Sequence, residues 1–277
     1  MTSGKRKGTW RLVVGMGLLL LLLPGCQPAG GEPAAEAEPT TLNVFAAASL
    51  AGAFSEIGAA FSAATPGATV VFNFAGSNQL ATQIAQGAPA DVFASANAAQ
   101  MTVAVKSGRV DAGATQLFVT NRLVVVVPAD NPAGIESLPD LATPDTLIVL
   151  AAEEVPAGRY ALEFLDRAAA DAAFAGGFKE AVLANVVSYE ENVRGVLNKV
   201  ALGEADAGIV YASDLVGVAD VSALTIPDAL NVVAEYPIAP LNDSAQPAAA
   251  AAFVAFVLSA EGQGILDNYG FGPSSGQ

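Results

Sequence analysis

Residues 42–54 read LNVFAAASLAGAF. The first half is a short apolar strand, Thr41–Ala47. The second half opens a helix from about Ser49 to Ala63, in which Ala53, Phe54, Ile57 and Phe61 recur at helical spacing. A strand running almost directly into a helix is the unit from which parallel sheets are built. The unit repeats outward. Thr65-Pro66-Gly67 breaks the helix, and a strand follows at 68–74. Next come a helix over 77–86 stopped by Gly87, a strand within PADVFAS (89–95), and a helix over 97–107 ended by Gly108. This alternation predicts an α/β fold, a mainly parallel sheet flanked by helices.

RLVVVVP (122–128) reads as a longer buried strand that carries the chain into a second lobe. That lobe is predicted to hold a helix near 137–141, a strand at 146–151, a helix over 157–171, a strand at 186–188, a helix over 192–202 and, in ADAGIVYASD (205–214), a strand that ends on Tyr211. Strands at 223–226 and 232–237 follow, the latter returning the chain to the first lobe. A helix over 245–259 and the segment QGILDNYGF (263–271) close the fold. The predicted division is residues 41–121 with 238–277 as lobe 1, and 122–237 as lobe 2.

Four stretches read as helix starts placed just after strand ends: AAASLAGAF (46–54), FAGSNQLATQI (74–84), VPAGRYALEFL (155–165) and YEENVRGVLNKVALG (189–203). A helix start presents unpaired N–H donors and a partial positive charge, which suits an anion. In open parallel sheets, ligands sit beyond the carboxyl ends of strands. Each residue here also has a plain reading. Ser49 and Ser77 cap helices or bind a ligand, and Gly76 lets backbone approach Ser77 closely. Pro156-Ala157-Gly158 is a proline-first helix start or a source of an unhindered N–H at Ala157. Val193 is a core residue in register with Val196, Leu197 and Val200, or a backbone donor. Tyr211 packs at a strand end or donates its hydroxyl. Arg159 and Arg194 lie in first turns, opposed to the helix dipole, and read as solvated rather than as the source of a long-range field for an anion. Asn78 and Glu191 read as supporting residues at the edge of such a site.

Residues 1–25 read as a leader: Lys5, Arg6, Lys7 and Arg11 precede the apolar run Leu12–Leu23, and LLPGC (22–26) closes it. The pattern resembles a bacterial lipoprotein signal, with Cys26, the only cysteine, as the lipidated residue. Residues 26–40, rich in Pro, Gly, Ala and Glu, read as a flexible tether. Without the leader the chain has eight Lys and Arg against twenty-seven Asp and Glu, a balance of −19. That argues against a nucleic-acid partner. The chain has no histidine. With its single cysteine acylated, the usual general base and thiol nucleophile of an enzyme are both missing. No dense carboxylate run marks a metal site, and no cofactor is implied.

The marks VFAAASL (44–50), SNQLATQIAQGAPADVFASA (77–96), RLVVVVP (122–128), EEVPAGRYA (153–161), ENVRG (191–195), GIVYASD (208–214) and YGF (269–271) together resemble the molybdate-binding proteins of bacterial ABC importers, over residues 41–272. The resemblance implies a type II periplasmic binding protein with its ligand cleft between two lobes. It implies that a molybdate or tungstate oxyanion is held by the hydroxyls of Ser49 and Ser77, the backbone N–H groups of Ala157 and Val193, and the hydroxyl of Tyr211. It further implies an extracytoplasmic monomer, anchored to the membrane at Cys26, that delivers its cargo to a membrane permease. The alternative is the same fold binding another oxyanion such as sulfate or thiosulfate. Two departures stand out: Leu150-Ala151-Ala152 replaces a Gly-Asp-Pro stretch of many relatives, and Asn192 stands where many have an acid.

Overall fold

A computed structural model describes residues 39–274. The predicted leader, Cys26 and the tether as far as residue 38 lie outside the described residues. Thr40, assigned to the tether from the sequence, already pairs with Ala68 as the first residue of a strand.

The first part of the chain runs β1 (Thr40–Ala47), α1 (Ala51–Ala64), β2 (Ala68–Ala75), α2 (Ser77–Ala85), β3 (Val92–Ala94) and α3 (Ala98–Lys106). β1 lies between β2 and β3 and is parallel to both. Period-2 alternation on β1 sends side chains to two separate cores. Leu42, Val44 and Ala46 join Phe54 and Ile57 of α1, whereas Phe45 joins Leu80 and Ile84 of α2 and Met101 of α3. Both faces of this sheet are therefore covered by helices.

β4 (Gln116–Pro128) follows and is thirteen residues long. A second parallel set comes next: β5 (Ile148–Ala151), α4 (Pro156–Ala170), α5 (Phe178–Ala184), β6 (Val186–Glu190), α6 (Val193–Ala201) and β7 (Ala207–Tyr211). β5 is parallel to β6 and β7. The chain ends with β8 (Val221–Thr225), β9 (Val233–Pro240), α7 (Pro247–Leu258), α8 (Ala260–Asn268) and β10 (Gly272–Pro273). β9 and β4 join the two parallel sets through antiparallel pairs, β3 with β9, β9 with β4 and β4 with β7, while β8 and β10 pair antiparallel with β4 alone.

β4 changes partners along its length. Gln116–Arg122 pairs with β9, and from Leu123 onward the strand pairs with β7 and β8. Its valine run makes this possible, because Val125, Val126 and Val127 are buried and tolerate cover on both faces. Around the first half, Phe54, Phe61, Phe118 and Phe253 meet at centroid distances of 5.3–6.1 Å, tying α1 and α7 to β4.

Several local expectations are corrected. α1 does not begin at Ser49. A 3₁₀ turn, Ala48–Leu50, comes first, and no side chain caps either element. The helix predicted near 137–141 is a 3₁₀ turn, Leu138–Ala142, held by the Asp140 carboxylate, which accepts from the N–H groups of Glu136 and Ser137. α5 was not foreseen, and α8 was folded into an unassigned closing segment.

Candidate functional site

The carboxyl ends of β1, β2 and β7 and the starts of α2, α4 and α6 converge on one small cavity of about 10 Å³. Its lining comprises Ala47, Ala48 and Ser49 from the end of β1 and the turn beyond it, and Ala75, Gly76 and Ser77 from β2 and α2. Ala96, Val155–Ala157, Asn192, Val193 and Tyr211 complete it. Ser49, Ser77, Ala157, Val193 and Tyr211, which come from five separate parts of the sequence, thus meet at one place. Small side chains dominate the wall because backbone must come close on every side.

Each donor is held by its own element. Ser77 is the first residue of α2, not its cap. Its Oγ accepts the N–H of Ala96 at 3.0 Å, which leaves its own proton for another acceptor. Ala157 follows Pro156, so the first position of α4 offers no N–H and the second offers that of Ala157. Val193 opens α6, whose cap Asn192 accepts the N–H of Gly195 at 3.1 Å. At these positions a helix supplies no acceptor for its own amides. Two glycines let the starts close in. A Cβ on Gly158 would lie 2.1 Å from the carbonyl oxygen of Ala152 and 2.4 Å from that of Ala151. A Cβ on Gly76 would lie 2.5 Å from the carbonyl oxygen of Glu191, which is how Glu191 borders the site.

Ser49 is not a helix cap. Its Oγ is 2.9 Å from the hydroxyl of Tyr236, which packs edge-on against Tyr211 at 5.8 Å. The Tyr211 hydroxyl is buried and has no hydrogen-bond partner among the described residues. Burial pushes the Tyr211 phenol well above its ordinary range, so it keeps its proton and can donate it. A buried unpaired donor is costly in a folded chain and marks a place where a ligand acceptor belongs. The Asn78 Oδ1 is a second buried atom without a partner, outside the cavity lining.

No cationic side chain lines the cavity. Arg159 is exposed. Arg194 corrects its solvated reading: it faces Asp214 at 3.3 Å. Asp214 is fully buried and accepts the N–H of Tyr211 at 3.1 Å. Desolvation pushes its carboxyl up to about 6, opposed by Arg194 and by that N–H. The site thus presents hydroxyls and amides only, a shell that can hold a fully ionised oxyanion through charge-assisted hydrogen bonds. A wider cleft of about 740 Å³ beside α4 is lined by Glu153, Glu154, Glu163 and Asp166 together with Arg159 and Lys179. Its carboxylates outnumber its cations, and it is much broader than a small anion.

Sequence reasoning missed Tyr236, Asn121, Ser213 and Asp214. Tyr236 and Asn121 lie inside strands whose apolar pattern carried no mark of a site. Ser213 and Asp214 lie just past the predicted strand end at Tyr211 and were given no role, although the capping turn that follows Tyr211 is a signal that sets them apart.

The model of the bacterial extracellular solute-binding proteins matches residues 42–272. The chain is 45% identical over 249 residues to the molybdate-binding protein ModA of Mycobacterium tuberculosis, covering 90% of this chain and 89% of the relative. It is 35% identical to the molybdate-binding protein ModA of Escherichia coli over 242 residues, 85% of this chain and 90% of that one. Among solved structures, the periplasmic molybdate-binding protein of Azotobacter vinelandii superposes with a TM-score of 0.73 at 20% identity, over 84% of this chain and all of that one, which speaks to the fold alone. On these grounds the chain belongs to the bacterial extracellular solute-binding proteins, and within them to the ModA family.

Proposed function

We propose that this chain captures molybdate, and tungstate with it, in the cavity at the mouth of its sheet and delivers it to the permease of an ABC importer. The observation that carries this reading is the unpartnered Tyr211 hydroxyl, which faces the same small cavity as Ser49, Ser77, Ala157 and Val193. The oxyanion would take the hydroxyl protons of Ser49, Ser77 and Tyr211 and the amide protons of Ala157 and Val193. A shell made only of donors has no acceptor for a proton on the ligand, so protonated phosphate is disfavoured. Sulfate carries the same charge as molybdate but is smaller, and fixed donors would be left with long hydrogen bonds. Membership of the ModA family supports molybdate over sulfate or thiosulfate.

Capture proceeds by closure of two lobes, 41–121 with 238–277 against 122–237. The change of partners on β4 supports the first border. The pairing of Ile238–Pro240 of β9 with β3, after Val233 onward has paired with β4, supports the second. Ser49 and Ser77 belong to the first lobe, and Ala157, Val193 and Tyr211 to the second. The chain works outside the cytoplasm as a monomer tethered through a lipid on Cys26. It performs no chemistry on its cargo.

Calorimetric titration of the protein with molybdate, tungstate, sulfate and phosphate tests the reading. Tight binding of the first two, with weak sulfate and weaker phosphate binding, is the expected result. Sulfate binding as tightly as molybdate would reject it in favour of a sulfate carrier on the same fold.

A further inference from the structure

Behind Ser49 lies a buried polar chain that does not line the cavity. Asn121 on β4 and Tyr236 on β9 are 2% and 0% exposed. The Asn121 Oδ1 accepts the N–H of Arg122 at 2.9 Å. That contact fixes the amide's orientation, so its nitrogen is the end that faces Ser213 Oγ at 2.7 Å and Tyr236 Oη at 3.4 Å. The Tyr236 oxygen thus receives a proton, weakly, from the Asn121 side. Its own proton has one near acceptor, Ser49 Oγ at 2.9 Å. The reverse direction, Ser49 donating to Tyr236, would leave the buried phenol proton only the neighbouring Tyr211 oxygen, which has no partner in good hydrogen-bond geometry.

We propose that Tyr236, oriented by Asn121, is a positioning residue that fixes the Ser49 hydroxyl as a one-way donor into the oxyanion cavity. The directions run Asn121 N–H to Tyr236 oxygen, Tyr236 O–H to Ser49 oxygen, Ser49 O–H to ligand. A serine whose oxygen accepts from Tyr236 aims its own proton at the cavity and presents a donor there rather than an acceptor. Tyr236 therefore sharpens the choice between a fully ionised oxyanion and one that keeps a proton, without touching either. The inference rests on the proposed oxyanion site.

The test is a double-mutant cycle of Tyr236→Phe and Ser49→Ala, read by calorimetry with molybdate and by competition with phosphate near neutral pH. Tyr236→Phe keeps the ring that packs on Phe118, Tyr211 and Phe271. In the wild-type background it should weaken molybdate binding about tenfold, the scale of one misdirected hydrogen bond to a charged ligand. It should also narrow the molybdate-to-phosphate ratio. In the Ser49→Ala background it should change molybdate binding by less than about twofold, because there is no hydroxyl left to direct. Equal losses in both backgrounds, or a wild-type-like Tyr236→Phe protein, overturn the inference while leaving the molybdate reading intact. Wild-type protein that fails to bind molybdate overturns both. A uniform loss for molybdate and phosphate, with the ratio unchanged, marks Tyr236 as merely structural and also overturns it.

Discussion

Tyr211 spends its folded life with a hydroxyl that finds no partner among its described neighbours. Removing that oxygen should therefore harm binding and spare the fold. Tyr211→Phe is expected to weaken molybdate binding by about tenfold or more while the ligand-free melting temperature stays level or rises, by calorimetry and thermal melting respectively. Three residues away, Asp214 holds its proton up to about pH 6 in the fold, against 3.8 for the ordinary side chain. The native state thus binds more protons than the unfolded one between those values. Stability on this account falls as the pH rises from about 4 to about 6, by something on the order of 3 kcal/mol, and is level above. Asp214→Asn should flatten that part of the difference curve in pH-dependent denaturant melts. Legibility at this scale was mixed. The positions of Ser49 and Ser77 were readable because each follows a strand end, but their roles as caps were not, since a 3₁₀ turn and a hydrogen bond from Ala96 replace the capping geometry. Tyr211 alone reads as packing, and only the resemblance promoted it. Arg194 was read as solvated because its partner sits twenty residues away in a turn that local pattern does not reveal.

At the scale of elements, strand–helix alternation was legible because its signals are local: periodicity, Gly and Pro stops, and caps such as Asn97, whose side chain accepts the N–H of Gln100. α5 was hidden because it starts from Gly177 in the left-handed region, at φ 81°, where the sequence reads as a loop. α8 was hidden by Gly262 and Gly264 inside it, although Ser259 caps it well. The helix starts that build the site should be sensitive to small changes. Asn192→Ala removes the cap of α6 and should cost about 1 kcal/mol in chemical denaturation, with a matching loss of affinity as the Val193 amide loosens. Gly158→Ala drives a Cβ into two carbonyl oxygens of the β5–α4 connection. It should push the Ala157 amide out of place and abolish measurable binding, while a control such as Gly176→Ala, with nothing within 4 Å, leaves affinity unchanged.

For the whole molecule, the charge balance of −19 without the leader and a cavity lined by no cation set a distinctive kinetic pattern. Long-range repulsion slows an approaching dianion, and salt screens it. Association of molybdate should therefore speed up between about 20 and 200 mM salt, with rapid-mixing kinetics as the readout. A site gripped by lysine or arginine would slow down over the same range. The valine run of β4 was read as the passage into a second lobe, but its partner change between Arg122 and Leu123 was not legible, because strand pairing joins residues about a hundred positions apart. The edge-on pair of Tyr211 and Tyr236 has one more consequence. The only tryptophan is Trp10, inside the predicted leader, and of the five tyrosines Tyr211 lines the cavity while Tyr236 packs against it from behind. Capture of the anion should be visible as a change in tyrosine fluorescence, without a dye or a label.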